Sequence, residues 1–251
     1  MTLVLTLLSS FGIAMAADTA VTASYRVPNQ DTNALRVYFG AQKLRPIPKI
    51  QGGVSVWGLG NLGSYDTDIW LNDFISRRQN DYENLNDFAR ILSEEVRMLA
   101  PPLDRKNPQS NSGFHVAGFV DHEGKRLPAF YHVHNGENQY FKDIDPAIMN
   151  ANFDRPPHEY GPNEAYLTRN GDTGLYTVLF NVLDQQLFNA LRLQGFTLPF
   201  PPTLERFAEY LRFQIKLVSD VYKLSNVFPG IGGDVTTLAI SSGGYTTYET
   251  R

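Results

Sequence analysis

The residue with the clearest chemical potential is Thr2, which follows the initiator methionine. Methionine is normally removed when a small residue comes next, so we expect the mature chain to begin at Thr2. An N-terminal threonine supplies a hydroxyl nucleophile together with an α-amine of ordinary pKa about 7.7–8.0, which can accept the hydroxyl proton near neutral pH. Many chains begin Met-Thr without using this chemistry, so the pattern needs support from the residues that follow.

Three later segments supply that support. They read IAMAADTAVT over 13–22, QKLRPI over 42–47 and GVSVWGLG over 53–60. Asp18 follows Thr2 by sixteen residues, and Lys43 opens the second segment. Together the segments resemble those of proteasome β-type subunits, which are N-terminal-nucleophile hydrolases, and the chain looks like a bacterial proteasome-like homologue. The resemblance is specific over residues 2–60 and weaker beyond them.

The resemblance implies a role for four residues. Thr2 would attack a carbonyl and form an acyl-enzyme, while a protonated Lys43 favours the neutral amine and the developing alkoxide. Asp18 would pair with Lys43, because a buried lysine without such a partner tends to lose its charge. The N–H of Gly58 would stabilise the oxyanion, an interaction of roughly 3–4 kcal/mol in comparable sites.

The match at Lys43 departs from the family pattern in its spacing. The stretch from Asp18 to Lys43 is longer than in the family, so the assignment depends on the flanking Leu44 and Ile47. Arg36 and Lys49 therefore stay open as alternatives for the catalytic cation.

Later parts of the family pattern are also altered. Where the family has Gly-Ser-Gly before its third helix, this chain has Asn-Gly-Asp-Thr-Gly, which places Asp172 or Thr173 at the serine position. Asp220 and Ser225 are candidates for the acid and serine that support the amine. These departures keep a second hypothesis open, a structural or binding subunit of the same fold with weak or no activity.

Composition narrows the function classes. The 251 residues are 42% hydrophobic, enough for a sizeable core, which excludes disorder as the dominant state. The net charge is −4, and no block of Lys and Arg could follow a phosphate backbone, so nucleic acid is not an expected partner. The absence of cysteine excludes disulfides, thiolate zinc sites and a cysteine nucleophile, and it suits a reducing cytoplasm.

The first segment has two interpretations. Residues 1–17 have the apolar stretch and the small-residue site, Ala14-Met15-Ala16, of a secretory signal peptide. The first basic residue, however, is Arg26, and polar residues interrupt the apolar run. The other interpretation is a hairpin with strands over 2–8 and 13–17. No other stretch approaches the length needed to span a bilayer.

A pair of histidines suggests a different kind of site. His132 and His134 alternate on a predicted strand and so face the same side. His122, Glu123 or Glu137 could complete a metal site with them, which would be the site of a secreted protein that has lost its first segment. A polar strand end beside a turn explains the pair more simply, and we expect no metal and no cofactor.

The predicted elements give the fold class. Strands are predicted at 2–8, 13–17, 35–39, 53–58, 114–121, 127–134 and 234–241. Helices are predicted at 66–78, 82–99, 173–193 and 203–224. The order of strands, two helices, strands, two helices and a strand predicts an α+β fold, a four-layer αββα sandwich of two antiparallel sheets, over one domain of residues 1–251.

The leading hypothesis follows from these observations. The chain is expected to be a threonine peptidase or amidase of the cytoplasm that acts on peptides or proteins and assembles with copies of itself into a ring. It has no nucleotide-binding glycine loop, so any ATP-dependent unfoldase would be a separate protein. No membrane partner is expected.

Overall fold

The computed structural model describes residues 2–26, 33–99, 112–134, 155–183, 193–195, 201–228 and 230–249. Its strands are β1 Leu3–Ser9, β2 Gly12–Asp18, β3 Val21–Arg26, β4 Asn33–Tyr38, β5 Leu44–Ile47, β6 Gly52–Trp57, β7 Asn61–Leu62, β8 Tyr65–Asp66, β9 Gly113–His122, β10 Lys125–His134, β11 Ala165–Gly171, β12 Val235–Ser241 and β13 Gly244–Glu249. Its helices are α1 Thr67–Arg77, α2 Leu85–Leu99, α3 Gly174–Thr177, which continues as a π-helix over Val178–Leu183, and α4 Leu204–Leu224.

Two antiparallel sheets form the centre of the fold. The first has the strand order β11-β1-β2-β12-β13, and the second has the order β10-β9-β6-β5. Strands β3 and β4 form a separate two-stranded ribbon between β2 and β5. The hairpin of β1 and β2 lies inside the first sheet, flanked on both sides, as the hairpin interpretation of the first segment predicts.

Successive side chains of β1 point to opposite faces of the sheet, so this strand contributes to two hydrophobic cores. Leu3, Leu5 and Leu7 belong to a core cluster with α4, whereas Val4 and Leu8 pack between the two sheets. A strand with apolar residues on both faces is buried on both faces. Every residue of β1 and β2 is buried accordingly.

Helices cover the outer face of each sheet. Phe207, Leu211 and Ile215 of α4 pack on the first sheet together with Tyr176 of α3. Helices α1 and α2 cover the second sheet, with residues such as Phe74. The four-layer αββα sandwich is therefore confirmed.

The ends of the helices follow from local sequence. α4 begins after Thr203, whose hydroxyl accepts a hydrogen bond of 3.3 Å from the N–H of Arg206, as its N-cap type predicts. The helix expected at 173–193 is observed over 174–183, and 184–192 lie outside the described residues. No helix of the described residues is long and apolar enough to cross a membrane.

Candidate active site

Asp18 ends β2 and is the anchor of the site. It is fully buried, and each of its oxygens accepts two hydrogen bonds. Oδ1 accepts from the N–H of Leu3 and from Nζ of Lys43, both at 3.0 Å. Oδ2 accepts from the N–H groups of Ala20 and Gly232, both at 3.2 Å. Four donors compensate a buried carboxylate for its lost hydration, so Asp18 is fully hydrogen-bonded in spite of its burial.

Lys43 lies one residue before β5 and points its ammonium at this carboxylate. Besides the ion pair with Asp18, Nζ donates to the carbonyl of Ala20. Burial lowers the pKa of Lys43, and the charge and hydrogen bond of Asp18 oppose that shift. The charge of Lys43 thus depends on its pairing with Asp18.

Thr2 is fixed through its backbone at the start of β1. Its carbonyl accepts a hydrogen bond of 2.7 Å from the N–H of Asp172. The preceding Gly171 has φ +101°, and a β-carbon there would overlap the carbonyl oxygen of Thr2. Glycine is therefore required for this close approach. The side chain of Thr2 is only 7% exposed and borders a cavity.

That cavity has a volume of about 70 Å³ and collects residues from several loops. Its lining residues are Thr2, Val21, Thr22, Ala41, Lys43, Val56, Gly58, Leu59, Gly60 and Asp68. Gly58 follows β6 with φ +76°, a conformation that favours glycine. Thr2, Lys43 and Gly58 are thus brought to one cavity, and Asp18 reaches it through Lys43.

The two alternative cations lie elsewhere. Arg36 is exposed on β4, where its guanidinium carbon is 5.0 Å from the ring centre of Tyr38. Lys49 donates to Glu83 at 2.7 Å and its side chain is 32% exposed. Neither residue lines the cavity, whereas Lys43 does.

Asp172 meets the site through its backbone and directs its side chain away. The carboxylate accepts a hydrogen bond of 2.7 Å from the hydroxyl of Tyr222 on α4. Burial and this bond raise the pKa of Tyr222. Thr173, the other residue at the serine position, precedes α3 as its N-cap without a side-chain capping bond.

Asp220 and Ser225 are not brought to the cavity. Asp220 pairs with Lys216 and Lys223 at 3.6 and 3.4 Å on the outer side of α4. Ser225 caps the end of the same helix and bonds to the carbonyl of Tyr222. Both predictions were wrong as to position. Asp220 lies on the face of α4 that points away from the sheet, and Ser225 lies at the end of the helix.

The buried serine of α4 is Ser219, which the sequence interpretation missed. It is fully buried, and its hydroxyl has no hydrogen-bond partner among the described residues. A β-carbon added to Gly232 would lie 3.5 Å from its Oγ, and Gly232 donates to Asp18. Its place in the apolar stripe of α4 was the signal that could have found it.

Deeper between the sheets lies a second polar group, centred on His115. Its Nδ1 is 2.9 Å from the hydroxyl of Thr6, and its Nε2 is 2.8 Å from Oδ1 of Asn170. The amide oxygen of Asn170 accepts the Nε2 proton, so Nδ1 accepts from Thr6. Burial lowers the pKa of His115 to about 4, which keeps the ring neutral.

His132 and His134 extend this group toward Trp57. Nε2 of His132 accepts from the indole N–H of Trp57 at 3.2 Å, and its ring stacks on His134 with centroids 4.4 Å apart. Burial, followed by the charges of His115 and His134, lowers the pKa of His132 well below its usual value. Within the described ranges, no three His, Cys, Asp or Glu residues are grouped to hold a metal; Glu137 lies outside them.

The arrangement around Thr2 has the parts of acyl-transfer chemistry. It offers a hydroxyl, an ion-paired ammonium and the glycine backbone of Gly58 on one cavity. Two lining residues, Thr22 and Asp68, were not among the predicted site residues. Asp68 lies in the first turn of α1, where an acid is ordinary, and nothing in its local sequence marks it as different.

The comparisons with known proteins support the fold alone. No protein-family model matches the sequence, and no curated protein matches it. Among solved structures, a mutant of Anbu from Hyphomicrobium sp. strain MC1, a bacterial proteasome-like protein, matches with a TM-score of 0.54 and 14% identity. The match covers 99% of this chain and 88% of that one.

Proposed function

We propose that the protein is an N-terminal threonine hydrolase that cleaves peptide or amide bonds through an acyl-enzyme on Thr2. One observation carries the proposal: Thr2 and Lys43 line the same cavity, and Lys43 is ion-paired with the fully buried Asp18. Sixteen residues of sequence separate Thr2 from Asp18, and the β1–β2 hairpin returns them to one end of the sheet. The resemblance in sequence and the shared fold point to the same chemistry.

The reaction proceeds in two steps. Once Met1 is removed, the α-amine of Thr2 takes the hydroxyl proton as Oγ attacks the substrate carbonyl, and the proton then passes to the leaving amine. Lys43 stabilises the developing negative charge, and the N–H of Gly58 donates to the oxyanion. Water then attacks the acyl-enzyme by the same route and regenerates the free hydroxyl.

The proposed setting of this activity comes from the resemblance in sequence and from the neighbour in fold. We place the protein in the cytoplasm, where a chain without cysteine loses nothing. There it would assemble with its own copies into a ring and act on peptides or proteins. If an ATP-dependent unfoldase delivers these substrates, that unfoldase would be a separate protein. The support for this setting is the proteasome-like neighbour in fold.

A second candidate is a subunit of the same fold without activity. The observation that favours it is Asp172, which stands where the resemblance expects a serine and whose carboxylate is bonded to Tyr222. In this case the cavity would bind ligands without turnover. Asp172→Ser is the variant that separates the two candidates, because it should restore activity if the missing serine is the cause.

Substitution of the nucleophile tests the proposal. Thr2→Ala is expected to lower turnover of a fluorogenic acyl substrate by at least about a thousandfold, since no other group supplies both nucleophile and adjacent base. The free energy of unfolding should change by less than about 1 kcal/mol, because the carbonyl that binds Asp172 remains.

The matched control is Thr246→Ala, at an exposed position of β13. Intact-mass spectrometry first establishes that Met1 has been removed, and a threonine-reactive covalent inhibitor then reports labelling of Thr2. Wild-type protein that begins at Thr2 but neither cleaves nor becomes labelled would disprove the proposed catalysis and leave the second candidate.

A further inference from the structure

One acidic group in the cavity, Asp68, forms no ion pair of its own among the described residues, although its charge acts on Lys43. The charge of Asp18 is matched by Lys43, and its four acceptor bonds are filled. Asp68 lines the same cavity, and its Oδ2 accepts from the N–H of Gln42 at 3.1 Å. In the described part of the chain no Lys, Arg or His forms an ion pair with Asp68. With Lys43 protonated, Asp68 leaves the cavity with a net negative charge.

Thr22 contributes an unused acceptor to the same space. Its hydroxyl oxygen is buried and has no hydrogen-bond partner among the described residues. A buried polar group without a partner is costly, so a donor from a ligand would be favourable here. An ammonium has three donors and no acceptor, which suits a carboxylate oxygen beside a hydroxyl.

The size and walls of the cavity fit an alkylamine. One water needs roughly 10–15 Å³ of such volume, so about 70 Å³ admits roughly five to seven non-hydrogen atoms. A lysine side chain has about that many beyond its α-carbon. Val21, Ala41 and Val56 supply aliphatic wall, which matches the methylene stem of a basic side chain while its charged end reaches polar groups.

We infer that this cavity binds the side chain on the acyl side of the scissile bond, and that Asp68 and Thr22 select a cationic side chain there. The inference rests on the proposed hydrolase function for its place in a reaction, but the binding of a cation can be measured separately. Asp68 is the specificity-determining residue because it carries the charge, while Thr22 accepts one further hydrogen bond.

A matched substrate series tests the inference. Three fluorogenic peptides differ only in the acyl-side residue, which is lysine, norleucine or glutamate. The wild-type protein is expected to favour lysine over norleucine by about tenfold or more in kcat/KM and to cleave glutamate least. Asp68→Asn keeps the acceptor for Gln42 and should reduce the lysine-to-norleucine ratio to within about threefold.

Asp73→Asn is the matched control, since it removes the same charge from α1 at an exposed position paired with Arg77. It should leave the ratio at the wild-type value. An equal loss on all three peptides in Asp68→Asn would show that Asp68 acts through Lys43 and not on the substrate, and the inference would be overturned. A wild-type protein without preference for lysine would also overturn it.

Direct binding separates this inference from the proposed function. If no peptide is cleaved, the hydrolase proposal fails, and calorimetric titration with N-acetyl-lysine amide and N-acetyl-norleucine amide decides the subsite alone. Tighter binding of the lysine amide that is lost in Asp68→Asn supports the inference. Equal binding of the two amides, or binding of neither, contradicts it.

Discussion

The protein has two buried polar groups, and they differ in charge and in access. The first is the ion pair of Asp18 and Lys43, which borders a cavity beside Thr2. The second is the histidine group, defined by His115 and His132 with their partners, which does not line that cavity. Both are buried to nearly the same extent.

The difference between the two groups shows that burial alone does not determine the charge of a buried side chain. In the histidine group, burial lowers the pKa of both rings, which therefore stay neutral. At the ion pair, burial also lowers the pKa of Lys43, but Asp18 opposes the shift and is itself supported by backbone donors. A buried ion pair is weak evidence for stability. We therefore attribute the ion pair beside the cavity to the proposed catalysis. We attribute the neutral histidine group to the packing of the core.

The largest effect is expected from breaking the ion pair. Lys43→Met should abolish turnover and lower the free energy of unfolding by about 3 kcal/mol, because Asp18 is left charged and buried without its cation. Activity is measured with the fluorogenic peptides and stability by urea unfolding. A stable and active Lys43→Met protein would show that the two groups do not differ in the way described.

The double variant Asp18→Asn with Lys43→Met sharpens the result. It removes both charges, so most of the lost stability should return while turnover stays absent. Recovery of stability without activity is the signature of a pair kept for chemistry. If the double variant is as unstable as Lys43→Met, the pair is structural and the comparison fails.

The next largest effect concerns the histidine group and pH. The pKa of His115 is about 4 in the folded protein and about 6.5 when unfolded. The unfolded state therefore binds one more proton between these values, so stability is complete above pH 6.5 and falls as the pH drops toward 4. The loss from His115 amounts to about 3 kcal/mol over that window.

Urea unfolding at several pH values between 7 and 4 measures this slope. His115→Gln should flatten it by about one proton, whereas His122→Gln, at an exposed position of the hairpin between β9 and β10, should not. The pKa of His132 is also lowered by the fold, so part of the dependence of stability on pH should remain in His115→Gln. An unchanged slope in that variant would show that His115 is not kept neutral by the fold.

The smallest effect is expected outside both groups. Asp220 was a candidate for the site, yet its carboxylate lies between two lysines on the outer face of α4. Asp220→Asn should leave kcat/KM unchanged and alter the free energy of unfolding by less than about 0.5 kcal/mol. A loss of turnover in this variant would restore Asp220 to the catalytic assignment.

The sequence predicted those parts of the molecule whose signals are local. The helical period of 82–99 and the N-cap at Thr203 gave α2 and α4 with small errors at the ends. The αββα arrangement followed from the order of these elements. At the site, the spacing from Thr2 to Asp18 predicted that the two residues lie near each other, and the structure places them at the same end of one hairpin, whose geometry depends on few residues.

The remainder depended on contacts that no local pattern records. β11 and β13 were missed, since their residues show no clear apolar alternation and those of β11 are at most partly buried. The bonds of His115 to Thr6 and Asn170 join positions 109 and 55 residues apart. Asp220 was misplaced because its assignment followed the resemblance and not the apolar stripe of α4, which marks the face that meets the sheet.

The hydrogen bond from Asp172 to the carbonyl of Thr2 has a consequence for entropy. The end of a chain normally frays, and ordering one residue costs roughly 1–2 kcal/mol. Here the sheet meets that cost during folding, because β1 is paired on both sides and Gly171 packs against Thr2. In the proposed mechanism, a nucleophile at the chain terminus would thereby be as confined as one in the middle of a strand, before any substrate arrives.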